Sequence, residues 1–257
     1  MRRSGSPPVE PADEGRHEAG DDPGWAESWY FDWVEDDGAL GGYVRLVLFP
    51  HQGLSWFWAC LVGEGRPLVT VLDHEAPLPR GRALDVRGEG LWLALECEQP
   101  LDHWTVGLEA FGLAFDDPGE VLGRGHGDRT ALGLDVEWET VSAVGSRPDG
   151  YWLGCRVSGE VLVGAERLTV DGWGLRDHSW GPWASSPWAG GRLTDGTWFR
   201  SEDPGAEGLA VEPRRGAPVR LEGSAVPDGS PRAIILSLCR YGAADGRTGV
   251  GWAEGTG

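Results

Sequence analysis

Twelve consecutive residues, Gly172 to Trp183 (GWGLRDHSWGPW), set Arg176, Asp177, His178 and Ser179 between glycines and tryptophans. A carboxyl group, an imidazole and a guanidinium in one short run are equipment for acid–base chemistry. An apolar aromatic surround would keep Asp177 protonated and able to donate a proton. His178 would then be its partner or the activator of a water, and tryptophan faces would stabilise a developing carbocation. Arg176 works against the acid role, because a guanidinium beside Asp177 holds it ionised. Asp177 and His178 are therefore the candidate catalytic residues, with Arg176 and Trp180 as candidate ligand contacts. Two readings without chemistry fit the same residues. One is ligand contact alone; the other is a structural clamp in which Arg176 and Asp177 pair with an adjoining domain and His178 bonds across the interface.

Neighbours in a regular strand face opposite ways. Arg176, His178 and Trp180 share one side, and Leu175, Asp177 and Ser179 the other. Asp177 and His178 can serve one cavity only if the strand bulges or turns, for which Gly174 and Gly181 supply the freedom. A second aromatic run, ESWYFDW, places Trp29, Phe31 and Trp33 on one face with Glu27 in phase. Ser28, Tyr30 and Asp32 face the other way. Trp29, Tyr30 and Trp33, with Trp56 and Trp58 of SWFWAC, are candidate substrate contacts; ordinary core packing is the competing explanation of the same tryptophans.

Other motifs carry less. His74, His103 and His126 with carboxylates could assemble a metal site, but no H-x-H or H-E-x-x-H spacing supports one, and no metal or cofactor is expected. GRGHGDRT (123–130) lacks both the dinucleotide fingerprint and a Walker lysine. There is no G-x-S-x-G elbow. Cys60, Cys97, Cys155 and Cys239 form no C-x-x-C pair and read as small buried hydrophobes in strand-like settings.

The elements that must position these residues are strands. From Trp25 onward, short apolar or alternating runs are separated by Gly, Pro and Asp turns. In TALGLDVEWETVS, Leu132, Leu134, Val136 and Trp138 share one face and Asp135, Glu137 and Glu139 the other. A hairpin turn is expected near Gly164-Ala165. No stretch has helical periodicity with caps. The pattern predicts an all-β protein of antiparallel barrels or sandwiches, split near residue 150. Residues 1–24, rich in Pro, Glu, Asp and Gly, are expected to form a disordered tail ahead of domains at 25–150 and 151–257.

The chain of 257 residues has a formal net charge of −19, 15 Trp, one Met and no lysine. An acidic surface repels phosphate backbones and anionic lipid, so nucleic acid is not an expected partner. With no apolar leader segment and no run of about 18 apolar residues, neither a secretory signal nor a transmembrane segment is expected, and a cytoplasmic location is the default.

ESWYFDW, GEVLVGAERLTVDGWGLRDHSWGPW and the terminal GVGWAE resemble, in order and spacing, the AttH-like and carotenoid 1,2-hydratase-like superfamily. Gly172 to Gly181 match its G-x-G-x-R-D-H-S-W-G pattern, and the resemblance spans most of residues 25–257. It implies two consecutive lipocalin-like units with a ligand space in or between them, the second unit trimmed. Members act on or bind hydrophobic molecules; they include a hydratase of terminal isoprenoid double bonds and fungal relatives linked to pericyclic cyclisation. In such a hydratase an acid protonates the alkene, and the resemblance implies Asp177 as the candidate for that acid. Pro182 stands where relatives often carry Arg after HSWG. Two functions are implied: a cofactor-independent hydratase or cyclase acting on an isoprenoid-like or polyketide-like molecule, or a non-catalytic lipocalin-like binder of such a hydrophobic small molecule. A shared fold does not choose between them.

Overall fold

The computed structural model describes residues 8–123, 126–184, 186–221 and 233–256. Residues 1–7 of the expected tail, Arg124 and Gly125 of the glycine-rich run, and 222–226 of an expected strand (PVRLEGSAV) lie outside them.

The described chain is all β, with two short 3-10 turns at Pro11–Glu14 and Pro118–Leu122. The first sheet contains β1 (Trp25–Val34), β2 (Leu40–Phe49), β3 (Leu54–Gly63), β4 (Leu68–Pro77), β5 (Leu84–Gly88), β6 (Leu91–Gln99), β7 (His103–Phe115), β8 (Asp128–Thr140), β9 (Gly145–Arg147), β10 (Gly150–Val163) and β11 (Glu166–Pro182). The second contains β12 (Trp188–Leu193), β13 (Trp198–Ser201), β14 (Leu209–Arg220), β15 (Ala233–Ala243) and β16 (Thr248–Thr256). No helix among the described residues is long and apolar enough to cross a membrane.

The first sheet closes. Its order β4-β3-β2-β1-β11-β10-β8-β7 returns to β4 through Leu68↔Phe115, Val69↔Ala114 and Thr70↔Leu113. Along Leu68–Thr70 closure removes an edge that would otherwise invite association. The β5–β6 hairpin is attached to the other half of β7, where the seam is open. Inward side chains fill the barrel: Trp29, Phe31 and Trp33 from β1 meet Trp104 of β7, Trp138 of β8 and Tyr151 of β10. As the alternation requires, Leu132, Val136 and Trp138 are buried.

The outer face of β1–β3 is apolar too, which explains why those strands are buried on both sides. Tyr30, Val47, Trp56 and Trp58 form a second core with Val219, Ile234, Leu236 and Trp252 of the second sheet. The break between sheets therefore falls between Pro182 and Trp188, not near residue 150. The segment 145–150 is a short strand and turn, and β10 and β11 pair with β8 and β1 of the barrel. Turn chemistry alone could not reveal that pairing. The hairpin at Gly164 forms where expected, with Gly164 at φ 58°.

Residues 8–24 depart from the expected disorder. Glu14 is buried and accepts hydrogen bonds from Arg176 Nη1 (3.0 Å) and Nη2 (2.8 Å), Trp104 Nε1 (2.8 Å) and the Leu101 amide (2.8 Å). Composition counts apolar residues, whereas this segment is anchored by one carboxylate matched to a buried guanidinium.

The glycines of the motif have a packing reason. A Cβ on Gly174 would overlap the carbonyl oxygen of Asp32, and one on Gly172 that of Val34. β11 can lie this close to β1 only without those side chains. A Gly174→Ala protein is expected to lose about 1–3 kcal/mol through overpacking, read as a lower urea midpoint with an unchanged denaturant slope.

Candidate functional site

Register explains which side chains meet. β1 and β11 pair without a shift through Trp29↔His178, Tyr30↔Asp177 and Phe31↔Arg176. No bulge rescues an Asp177–His178 dyad: the two residues face opposite sides of an unbroken strand. One outward row runs Trp58–Arg45–Tyr30–Asp177, across β3, β2, β1 and β11. The next row, Leu46–Trp29–His178–Tyr151, faces the barrel interior.

The outward row opens on a cleft of about 140 Å³ between the barrel and the second sheet. Barrel strands contribute Ser28, Tyr30, Arg45, Arg147 and Asp177; the other sheet supplies Trp188, Arg200 and Glu254. Trp180 and Trp183 line its mouth. Asp177 is held from both sides. Its Oδ1 accepts from Arg147 Nη2 at 2.8 Å, and Oδ2 lies 2.9 Å from Arg200 Nε in an ion pair that is not an aligned hydrogen bond. Burial drives its pKa upward, but Arg200 and Arg147 outweigh burial and hold the carboxyl below the ordinary carboxylate range. Asp177 is thus an anion, not a standing proton donor. Arg45 donates from Nε to Ser28 Oγ (3.0 Å) and from Nη1 to Glu254 Oε2 (3.0 Å), which also accepts from Trp188 Nε1 (3.2 Å).

Asp32 is the opposite case. It lies on the outward face of β1, two residues beyond Tyr30, and is 2% exposed. Oδ1 accepts from the Leu175 amide at 2.8 Å, while Oδ2 has no aligned partner. Burial pushes its carboxyl up to about 7, against the Leu175 amide and the Tyr30 hydroxyl, with Asp177 adding to the rise. Tyr30, pushed well above its ordinary range by burial, carries a hydroxyl without an aligned partner at the cleft wall.

Of the residues singled out from sequence, Tyr30, Asp177 and Trp180 line the cleft. Trp29, Trp33, Arg176 and His178 belong to the barrel interior, Arg176 in the Glu14 pair. Trp56 and Trp58 are fully buried between the sheets. Sequence reasoning passed over Arg45, Arg147, Arg200, Asp32 and Glu254. Arg45 had a signal, as the sole charge in the apolar run GGYVRLVLF, and so did Asp32, in phase with Tyr30. Arg147 sits in a turn-like segment and Arg200 in a distant strand, with no local mark.

A second polar cluster occupies one end of the barrel. Glu27 Oε1 lies 2.8 Å from His17 Nδ1 and 3.0 Å from His178 Nε2. Burial raises the Glu27 pKa, but the two imidazole contacts outweigh it and leave it lowered; the bond to Glu27 raises that of His17. Among the described residues these three are the group placed to hold a metal ion; His74, His103 and His126 are not brought together.

The profile of a domain of unknown function (DUF7064) matches residues 10–201, which include the barrel, Asp177, Arg147 and Arg200. No curated protein matches the sequence. Among solved structures, a candidate AttH from Nitrosomonas europaea superposes with a TM-score of 0.60 at 12% identity, covering 99% of this chain and 97% of that one. CghA gives 0.45 at 10% identity, covering 90% and 87%. Kievitone hydratase from Nectria haematococca gives 0.44 at 12% identity, covering 89% and 87%. At these identities the likeness is one of fold, and the fold is the AttH-like one that the G-x-G-x-R-D-H-S-W-G pattern implied. With most of its length matched by that profile, barrel and cleft motif included, the chain belongs to the DUF7064 family.

Proposed function

We propose that this protein is a cofactor-independent hydratase or cyclase that takes the oxygenated head of an otherwise apolar, isoprenoid-like or polyketide-like molecule into the inter-sheet cleft. One observation carries the reading: Asp177 lines the cleft, and a second carboxyl of opposite character, Asp32, is buried behind the Tyr30 hydroxyl of the same wall. Asp177 lies between two guanidinium groups. Asp32 has a single aligned donor, a backbone amide, and stands behind the Tyr30 hydroxyl. Environments that separate two carboxyl groups in this way assign an acid and a base.

The acid is then Asp32 and not Asp177. In a hydration, Tyr30 gives its proton to one alkene carbon and is reprotonated by Asp32. Water adds to the cationic carbon and loses its proton to Asp177, and proton exchange with solvent then returns Asp177 to the anion and Asp32 to the acid. Trp183 and Trp188 of the cleft lining present ring faces to the cation. The volume fits one ring-sized group, since a cavity of about 150 Å³ takes a benzene, so the apolar remainder lies outside. The carrier reading is favoured by a different observation: both oxygens of Asp177 are already engaged by arginines.

The test begins with mass analysis of small molecules extracted from the purified protein, together with a panel of isoprenoid alcohols and polyenes. A compound that stabilises the wild type thermally should lose that effect in Arg147→Ala. It should gain 18 mass units or isomerise with the wild type, and be recovered unchanged from Tyr30→Phe and Asp32→Asn. Recovery unchanged from the wild type selects the carrier. Full turnover by Asp32→Asn removes the proposed acid, and undiminished binding by Arg147→Ala removes the cleft.

A further inference from the structure

The barrel-end cluster lies on the opposite side of β11 from the cleft and is not used by the proposed chemistry. Its three donors come from separate segments: His17 from the ordered N-terminal stretch, Glu27 from β1 and His178 from β11. The donor atoms all lie within 4.8 Å of one another. The edge of a tetrahedron built from metal–ligand bonds of about 2.0–2.1 Å is about 3.3 Å, so the His–Glu separations need to open by only a few tenths of an ångström.

Three further features distinguish this cluster from a chance meeting of polar side chains. The first is charge. Glu27 is 1% exposed, and its contacts are two imidazoles and the His17 amide. Glu14, Asp177 and Glu254 each have arginine beside them. A buried carboxylate calls for a matching cation, and among the described residues the groups beside Glu27 that could supply it are imidazoles, with no guanidinium. The second is orientation. Trp29 stacks on His178 with centroids 4.4 Å apart and planes at 23°, and Trp180 stacks on His17 at 3.9 Å and 24°. Both ligand rings are therefore held in place before anything binds. The third is the outer shell. The other nitrogen of His178 lies 3.4 Å from the Tyr151 hydroxyl, within hydrogen-bond reach, and that of His17 faces Asp13 Oδ1 at 3.7 Å, an ion-pair distance. Such partners fix the tautomer of metal-bound histidines. His17 is a quarter exposed, which leaves a route of entry.

We propose that His17 Nδ1, Glu27 Oε1 and His178 Nε2 form a binding site for one divalent transition-metal ion of the zinc or iron(II) class. Two imidazoles and one carboxylate suit such ions and leave coordination positions for water. Calcium or magnesium would need more oxygen donors than the cluster offers.

The test uses the full chain, stripped with a chelator and titrated with zinc chloride by calorimetry. Cobalt(II) is the optical probe. One equivalent of zinc should bind, and cobalt should give the visible absorption of a tetrahedral site. Because His17 is partly exposed, His17→Ala should fold as judged by circular dichroism. Its affinity should fall by more than the ~10–100-fold cost of an outer-shell change. His17→Gln retains a group able to bond Glu27, so its equal loss would separate ligation from hydrogen bonding. His103→Ala should bind like the wild type. Absence of stoichiometric zinc binding by the wild type overturns the proposal, as does binding undiminished in both His17 variants.

Discussion

An Asp32→Asn protein is expected to be more stable than the wild type above pH 7 and to have lost the proposed turnover. The stability side follows from proton linkage. Asp32 ionises near 3.8 in the unfolded chain and at about 7 in the fold, so between those values the folded state binds more protons. Its contribution to stability is then lost as pH rises through that window. At about 1.4 kcal/mol per pH unit, the penalty approaches about 4 kcal/mol above pH 7, and about 2–4 kcal/mol is the range to expect for the Asn protein at pH 8. Asparagine keeps the oxygen that accepts from the Leu175 amide and removes only the ionisation. Urea unfolding from pH 5 to pH 8.5 should show the wild type weakening while the variant stays level. Parallel pH profiles for the two proteins would show that Asp32 does not titrate in this window. A residue whose removal strengthens the fold yet abolishes turnover is the expected signature of a destabilised active site.

The second large effect concerns the N-terminal stretch. Glu14→Ala leaves Arg176 buried at 3% exposure without its bidentate carboxylate and deprives Trp104 of its acceptor. Breaking a buried ion pair by removing one partner costs about 3–5 kcal/mol, a large share of a stability of about 5–15 kcal/mol. Chemical denaturation should show a correspondingly lower midpoint. Deleting residues 1–24 as though they were a dispensable tail should be at least as damaging. A Glu14→Ala, Arg176→Met double variant should recover much of the loss, because it removes the stranded charge together with its partner. Unchanged stability of Glu14→Ala would mean that Arg176 finds another counter-charge.

Much of the fold was legible because strands write their faces into the sequence at a period of two. The alternation through ESWYFDW put Trp29 and Trp33 on one side and Tyr30 and Asp32 on the other, and the register kept that division. The alternation through GLRDHSWG likewise separated Asp177 from His178. Which face was which could not be read. Both faces of β1 are buried, so hydrophobicity distinguishes neither, and tryptophans lying inside the barrel look like tryptophans lying between the sheets. The guanidinium groups around Asp177 were invisible for another reason. Arg147 and Arg200 lie on either side of it in sequence and reach it only through the pairing of β9 with β10 and the packing of the second sheet. His17 was hidden by composition: a Pro- and acid-rich stretch was set aside as a whole, although one carboxylate and one imidazole tie it to the barrel.

β11 works as a party wall. One strand furnishes two rooms, with Asp177 facing the cleft and Arg176 and His178 facing the barrel. A shift of the strand refurnishes both rooms at once. Inserting or deleting one residue between Gly174 and Arg176, with the pairing ahead of it kept, would exchange every later occupant across the wall. It would carry Arg176 away from Glu14 and bring Asp177 into the barrel. The motif is therefore heritable only as a block, and either room could change its contents by substitution without disturbing the other.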